Sequence, residues 1–202
     1  MMKKKSFISV MLAVVAVICV CFGFVGCTDN DGAVDKIPDG TKDNVLIAYF
    51  SCTNTTKGVA EKIATSTGGT LYRITPEQPY TSADLNYNSD CRANREQNDS
   101  KARPAISGGV DNMGDYDIVF VGYPIWWAEA PKIIYTFLES YNFEGKTIIP
   151  FCTSGGSGVG DSANHLHGCV KGATWLNGTK LSGGASQSSI DSYVAGLGFK
   201  KN

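Results

Sequence analysis

Val45-Leu46-Ile47-Ala48-Tyr49-Phe50-Ser51-Cys52-Thr53-Asn54-Thr55-Thr56-Lys57 is the stretch on which the fold turns. Its first six residues are apolar without alternation. Such a run fits a strand buried on both faces, as in a parallel sheet. The next seven carry hydroxyls at Ser51, Thr53, Thr55 and Thr56 and an amide at Asn54. Val59, Ala60, Ile63 and Ala64 then follow at helical spacing over residues 55–66, and Gly68-Gly69 marks the helix end. A buried strand, a polar turn and a helix in that order open a βα unit.

Outward from this unit the alternation continues. Residues 70–75 (TLYRIT) read as a short strand, and 118–123 (IVFVGY) and 147–152 (TIIPFC) as two more buried strands. Pro150 is unusual inside such a strand, because it has no N–H for the ladder. Helices are expected over 132–141, 157–166 and 188–197, and a last short strand over 173–176. Residues 76–115 are long and polar. They read as an insertion over one edge of the sheet, with a helix over 82–101 whose apolar face is thin. Strands alternating with helices imply an α/β domain, doubly wound, with helices on both faces of a parallel sheet.

The 202 residues are 43% hydrophobic and 18% charged, which excludes a disordered chain. Net charge is −1, so no basic surface points to a nucleic-acid partner. The N-terminus stands apart. Lys3, Lys4 and Lys5 precede the apolar run 7–26, which ends at Phe24-Val25-Gly26-Cys27. Positive residues, an apolar core and a small residue before the cysteine form an export signal. The ending resembles the lipobox of bacterial lipoproteins, and that resemblance implies lipidation of Cys27. An uncleaved anchor is the alternative, since twenty apolar residues can span a bilayer. Either way the rest of the chain is expected outside the cytoplasmic membrane, anchored to it. Residues 1–26 are thus a signal peptide, 27–44 a lipid-anchored flexible tether, and 45–202 the domain. Without the signal, 15 basic residues face 19 acidic ones, a net charge of −4. Cys52, Cys91, Cys152 and Cys169 remain in the domain. Their spacing selects no pairing. Cys52 and Cys152 are expected unbonded, because a strand separates the two that carry them and two strand spacings, about 9.5 Å, exceed disulfide reach.

In an open parallel sheet, ligands bind beyond the carboxyl ends of the strands. The informative residues are therefore those after each apolar run. Ser51, Cys52, Thr53, Asn54, Thr55 and Thr56 lie directly before a helix N-terminus, where free amides and the helix dipole favour a phosphate. A polar N-cap turn is the plainer reading of the same residues. Pro124, Ile125, Trp126 and Trp127 put two adjacent tryptophans on the second loop, as a platform for a flat ligand or as a core plug. Thr153, Ser154, Gly155, Gly156, Ser157 and Gly158 form a third loop whose backbone can approach a ligand closely. Together they describe one ligand with a phosphate at one end and an aromatic ring system at the other.

These residues resemble flavodoxin. Ser51-x-Thr53-Asn54-Thr55-Thr56-Lys57 is similar to that family's phosphate loop, with Asn54 and Thr55 where Gly and Asn are usual. Residues 123–127 and 150–158 are similar to its ring-binding loops. The resemblance covers residue 45 to the C-terminus and is thinnest over 76–115. It implies a five-stranded sheet of order 2-1-3-4-5, non-covalent FMN, and electron transfer with a redox partner protein or a small-molecule donor or acceptor. It assigns no catalytic side chain. A flavin-dependent quinone or NAD(P)H oxidoreductase on the same fold is an alternative, as is a binding lipoprotein that has lost FMN. Asn54 tolerates left-handed backbone and is expected to keep the turn.

Other motifs fail. Gly145-Lys146-Thr147 precedes a strand, unlike a phosphate-binding Walker loop, and Val159 breaks a serine-hydrolase elbow around Ser157. His165, His167 and Cys169 lack an evident fourth ligand, so no metal is expected.

Overall fold

The computed structural model describes residues 35–41, 44–87 and 90–199. The expected signal peptide, Cys27 and the start of the tether lie outside them. In chain order the elements are β1 (Val45–Tyr49), α1 (Thr55–Thr67), β2 (Thr70–Arg73), β3 (Thr75–Pro76), α2 (Arg92–Asn98), β4 (Ile106–Ser107), β5 (Ile118–Pro124), α3 (Lys132–Glu139), β6 (Thr147–Thr153), β7 (Thr174–Trp175), β8 (Thr179–Lys180) and α4 (Gln187–Gly196).

The main sheet runs β2-β1-β5-β6-β7, with β8 also beside β6, and every pair in it is parallel. This is the expected order 2-1-3-4-5 with its fifth strand in two pieces. Side chains of β1 and of Phe50, which follows it, alternate between two cores. Leu46, Ala48 and Phe50 join one with Ile133, Ile134, Phe137 and Leu138 of α3 and Ala93 of α2. Val45, Ile47 and Tyr49 join the other with Val59, Ala60 and Ile63 of α1 and Ile190 and Val194 of α4. Both faces are covered, which is why the central strands are apolar without a break.

Pro150 explains the divided fifth strand. The carbonyls of Ile148 and Cys152 accept from Leu176 and Leu181 on that side of β6, each at 2.9 Å. Pro150, midway between them, faces the same neighbour and has no N–H to offer. The ladder lapses there, and the chain bulges between β7 and β8.

Two expectations differ from the structure in extent. The helix over 82–101 is limited to α2, and residues 76–115 lie within the connection from β2 to β5, residues 74–117, where β3 and β4 pair antiparallel. The helix expected over 157–166 is replaced by irregular chain followed by a 3-10 turn, Asn164–Cys169. Gly155, Gly156, Gly158 and Gly160 (φ +51°) carry too little helix preference to start it earlier. At the other end, domain contacts begin within the stretch read as tether. The Ile37 amide donates to the Leu197 carbonyl at 3.0 Å, and its side chain packs on the α1–α4 core.

Candidate functional site

The carboxyl ends of β1, β5 and β6 open on one cavity of about 310 Å³. That is at the small end of ligand pockets, roughly 300–1,000 Å³. All three expected loops reach it: Ser51, Cys52, Thr53, Thr55 and Thr56 from the first, Pro124, Ile125, Trp126 and Trp127 from the second, and Thr153, Ser154 and Gly155 from the third. Asn54, Gly156, Ser157 and Gly158 do not line it. Asn54 serves through its backbone, holding φ +64° as the N-cap of α1. The Gly156 carbonyl instead accepts from Lys180 Nζ at 3.1 Å, which ties the third loop to β8.

The first loop ends in an unusual cap. The Asn54 side chain makes no hydrogen bond to α1, so first-turn amides of the helix are left for water or a ligand. Around them lie the paired hydroxyls of Thr53 and Thr55, 3.2 Å apart. Thr56 is buried, and its hydroxyl meets that of Thr153 at 2.9 Å, joining the first loop to the third. Arg73 Nη2 donates to the Ser51 carbonyl at 3.0 Å and fixes the turn from the side of β2. Burial pushes the Cys52 thiol up to about 11, against the pull of Arg73 and Arg92, so it lines the cavity as a neutral group.

The second loop is a two-residue hairpin. Trp126 and Glu129 exchange backbone hydrogen bonds of 2.9 Å, with Trp127 (φ +48°) and Ala128 (φ +65°) at its tip. Two non-glycine residues in left-handed conformation cost about 1–2 kcal/mol each, a strain typical of functional sites. The tip sends the two indoles to different places. Trp126 is 6% exposed and meets Phe50 and Tyr80 edge-on at 5.4 and 5.2 Å. It is a core plug that also closes the cavity floor. Trp127 is half-buried in the cavity wall, and Tyr87 stacks on it at 4.3 Å between centroids.

Sequence reasoning missed what the β2–β5 connection supplies. Leu85, Tyr87 and Ala93 complete the wall. Gln97 of α2 grips the hairpin: its Nε2 donates to the carbonyls of Trp126 (3.1 Å) and Ala130 (3.3 Å), while its Oε1 accepts from the Lys132 amide at 3.1 Å. Tyr80 donates to Glu96, which also pairs with Arg92 Nε at 2.7 Å. Burial, followed by the Glu96 carboxylate, raises the Tyr80 hydroxyl far above its ordinary pKa. A glutamine on a short polar helix carries no sign of these partners in sequence.

A family model described as flavodoxin matches residues 44–197, which is most of the chain. The chain belongs to the flavodoxin family. Among solved structures, this flavodoxin-family chain is 46% identical to a candidate flavoprotein from Bacteroides eggerthii DSM 20697, over 78% of this chain and 99% of that one, with a TM-score of 0.73. It is 40% identical to a candidate flavoprotein from Bacteroides uniformis ATCC 8492, over 75% and 97% of the two chains, with a TM-score of 0.72. A flavoprotein from Lactobacillus acidophilus NCFM, solved in complex with FMN, is 22% identical over 75% and 98% with a TM-score of 0.58, a likeness of fold. No curated protein matches.

The two histidines weighed and set aside as metal ligands each have a neighbour. His165 Nδ1 lies 2.8 Å from Glu129, and the His167 ring stacks on Trp175 at 4.5 Å. Among the described residues Cys52, Cys91, Cys152 and Cys169 are free. β5 separates the strand before Cys52 from the one holding Cys152, as expected.

Proposed function

We propose that this flavodoxin-family chain binds FMN non-covalently in the cavity and serves in electron transfer outside the cytoplasmic membrane, held there through a lipid on Cys27. The observation that carries the cofactor reading is the polarity of a single cavity. One end offers an uncapped helix N-terminus with the hydroxyls of Ser51, Thr53 and Thr55 close by. The other offers Trp127, the candidate platform, half-buried in the wall with Tyr87 stacked on it. A phosphate fits the first and a flat ring the second. FMN, when bound, supplies the one- and two-electron chemistry. The chain's residues hold and shield it. Leu85, Ala93 and Ile125 keep water from the middle of the cavity, and the Thr56–Thr153 pair keeps two walls in register. The acidic balance outside the signal disfavours added negative charge at the site and so lowers the reduction potential. The chain's partners are a redox protein or a small-molecule donor or acceptor, and the membrane through the anchor.

The visible spectrum of the purified protein, with FMN and riboflavin titrations, tests the cofactor reading. A flavin spectrum with tighter FMN than riboflavin supports it, and no flavin binding at micromolar protein overturns it. For the anchor, Cys27→Ser should release the protein or leave the precursor unprocessed. Membrane retention at the mature mass would remove the lipid from the account.

Leu85 and Tyr87 in the wall favour a second reading, a flavin-dependent quinone or NAD(P)H oxidoreductase, because the β2–β5 connection can shape a substrate pocket. Stopped-flow oxidation of NADPH separates the two: rapid turnover selects the enzyme.

A further inference from the structure

We infer that Gly183 is a positioning residue for the phosphate end, setting the side-chain rotamer of Thr55; this rests on the proposed FMN reading. Gly183 lies in the turn over residues 182–185, just after β8, which is closed by the Ala185 amide on the Ser182 carbonyl at 3.0 Å. Nothing about its backbone demands glycine, since Gly183 is not among the residues with positive φ. The space demands it. A Cβ added there would fall 2.3 Å from Thr55 Cγ2 and 3.7 Å from Thr55 Cβ. Gly184, next in the same turn, is different: an added Cβ meets only Ser182 Oγ, at 4.0 Å.

Thr55 is the first residue of α1 and lines the cavity, with its hydroxyl 3.2 Å from that of Thr53. Its Cβ carries only a methyl, a hydroxyl and a hydrogen. If the methyl is forced off Gly183, rotation about χ1 by one staggered step carries the hydroxyl away from Thr53. The turn after β8 thereby acts as an outer wall that keeps a phosphate donor aimed, although no residue of that turn resembles a phosphate loop. A neutral hydroxyl aimed at a phosphate dianion is worth more than one aimed at a neutral group. The effect should therefore fall on FMN and spare riboflavin.

The experiment measures FMN and riboflavin affinity for the wild type, Gly183→Ala, Gly184→Ala, Thr55→Ser and the Gly183→Ala/Thr55→Ser double variant. The Thr55 χ1 rotamer is also read from three-bond couplings in cofactor-free protein. Gly183→Ala should weaken FMN roughly tenfold, leave riboflavin within about twofold and change the Thr55 rotamer. Gly184→Ala should do none of these. In the Thr55→Ser background, where the clashing methyl is gone, Gly183→Ala should cost less than about threefold. An unchanged Thr55 rotamer overturns the inference. So does an equal loss of both flavins, or a loss that Thr55→Ser does not rescue. Failure of the wild type to bind FMN is a separate result and overturns the cofactor reading, while the rotamer measurement still judges the contact.

Discussion

The two ends of the cavity are built by opposite means. The proposed phosphate end is one continuous peptide, Ser51 to Thr56, carried on the step from β1 to α1. The ring end is assembled from separate segments: the hairpin holding Trp127, Tyr87 and Leu85 from the β2–β5 connection, and Gln97 of α2 gripping the hairpin from behind. The first relies on local backbone and hydroxyls, the second on packing between residues far apart in sequence. Local construction can be read from a line of residues. Assembled construction shows only its most conspicuous member.

Adjacent tryptophans give the sharpest way to break this comparison. Trp126→Ala should cost about 3–5 kcal/mol of stability, as large-to-small changes in a packed core do. Urea unfolding checks it. A loss near zero would mean that Trp126 does not plug the core against Phe50 and Tyr80. The phosphate end comes next. Thr56 lines the cavity and can accept from Thr153 while donating its own proton to a phosphate, so Thr56→Val should weaken FMN by about 10–150-fold, the worth of a hydrogen bond to a charged group, and equally in every redox state. Thr153→Val should reproduce part of that loss by releasing the shared hydroxyl pair. A redox titration showing state-dependent loss for Thr56→Val would assign it to the ring end instead.

Trp127→Ala should act more gently, by about 0.5–1.5 kcal/mol or some 2–12-fold in affinity. An electron-rich indole favours the oxidised ring most, so this loss should be greatest for oxidised FMN and should raise the reduction potential. A uniform loss across redox states would demote Trp127 from platform to mere wall. The smallest expected effect concerns Cys52. Its folded-state pKa, about 11, lies above the ordinary value of 9.0 because burial disfavours the thiolate. The stability this thiol contributes is therefore complete below pH about 9 and lost as pH rises through about 11. Urea midpoints of wild type and Cys52→Ala at pH 8 and pH 10.5 should draw together at the higher pH. A widening gap would reverse the sign.

How far the sequence carried each region follows the same divide. The sheet order was legible because β1, β5 and β6 are buried on both faces and advertise it in unbroken apolar runs. Pro150 was legible as an anomaly, and its consequence, the lapse between β7 and β8, appears only when the neighbouring strand is in place. Ser51 to Thr56 were legible as a loop at the ligand-binding edge, and all but Asn54 line the cavity. Trp126 and Trp127 were legible as a pair and indistinguishable as individuals, because Phe50, Tyr80 and Tyr87 divide their roles. Leu85, Tyr87 and Gln97 were invisible: they lie in a polar stretch with little periodicity, where partners come entirely from tertiary structure. Gly183 was hidden for another reason, since an unremarkable backbone conformation gives no hint of the Thr55 methyl beside it.

The Thr56–Thr153 hydrogen bond joins residues 97 apart in sequence. No binding site exists until β6 has joined β5, and β5 has joined β1. Such long-range parallel pairing is slow to form. FMN therefore has little to hold while the chain is still folding and cannot act as a template for it. It engages the finished domain and leaves the folding rate nearly untouched. Its stabilisation grows as RT ln(1 + [L]/Kd), about 4.1 kcal/mol at a thousandfold excess over Kd. That gain falls almost wholly on the unfolding rate. The loaded protein should therefore unfold more slowly than the empty one.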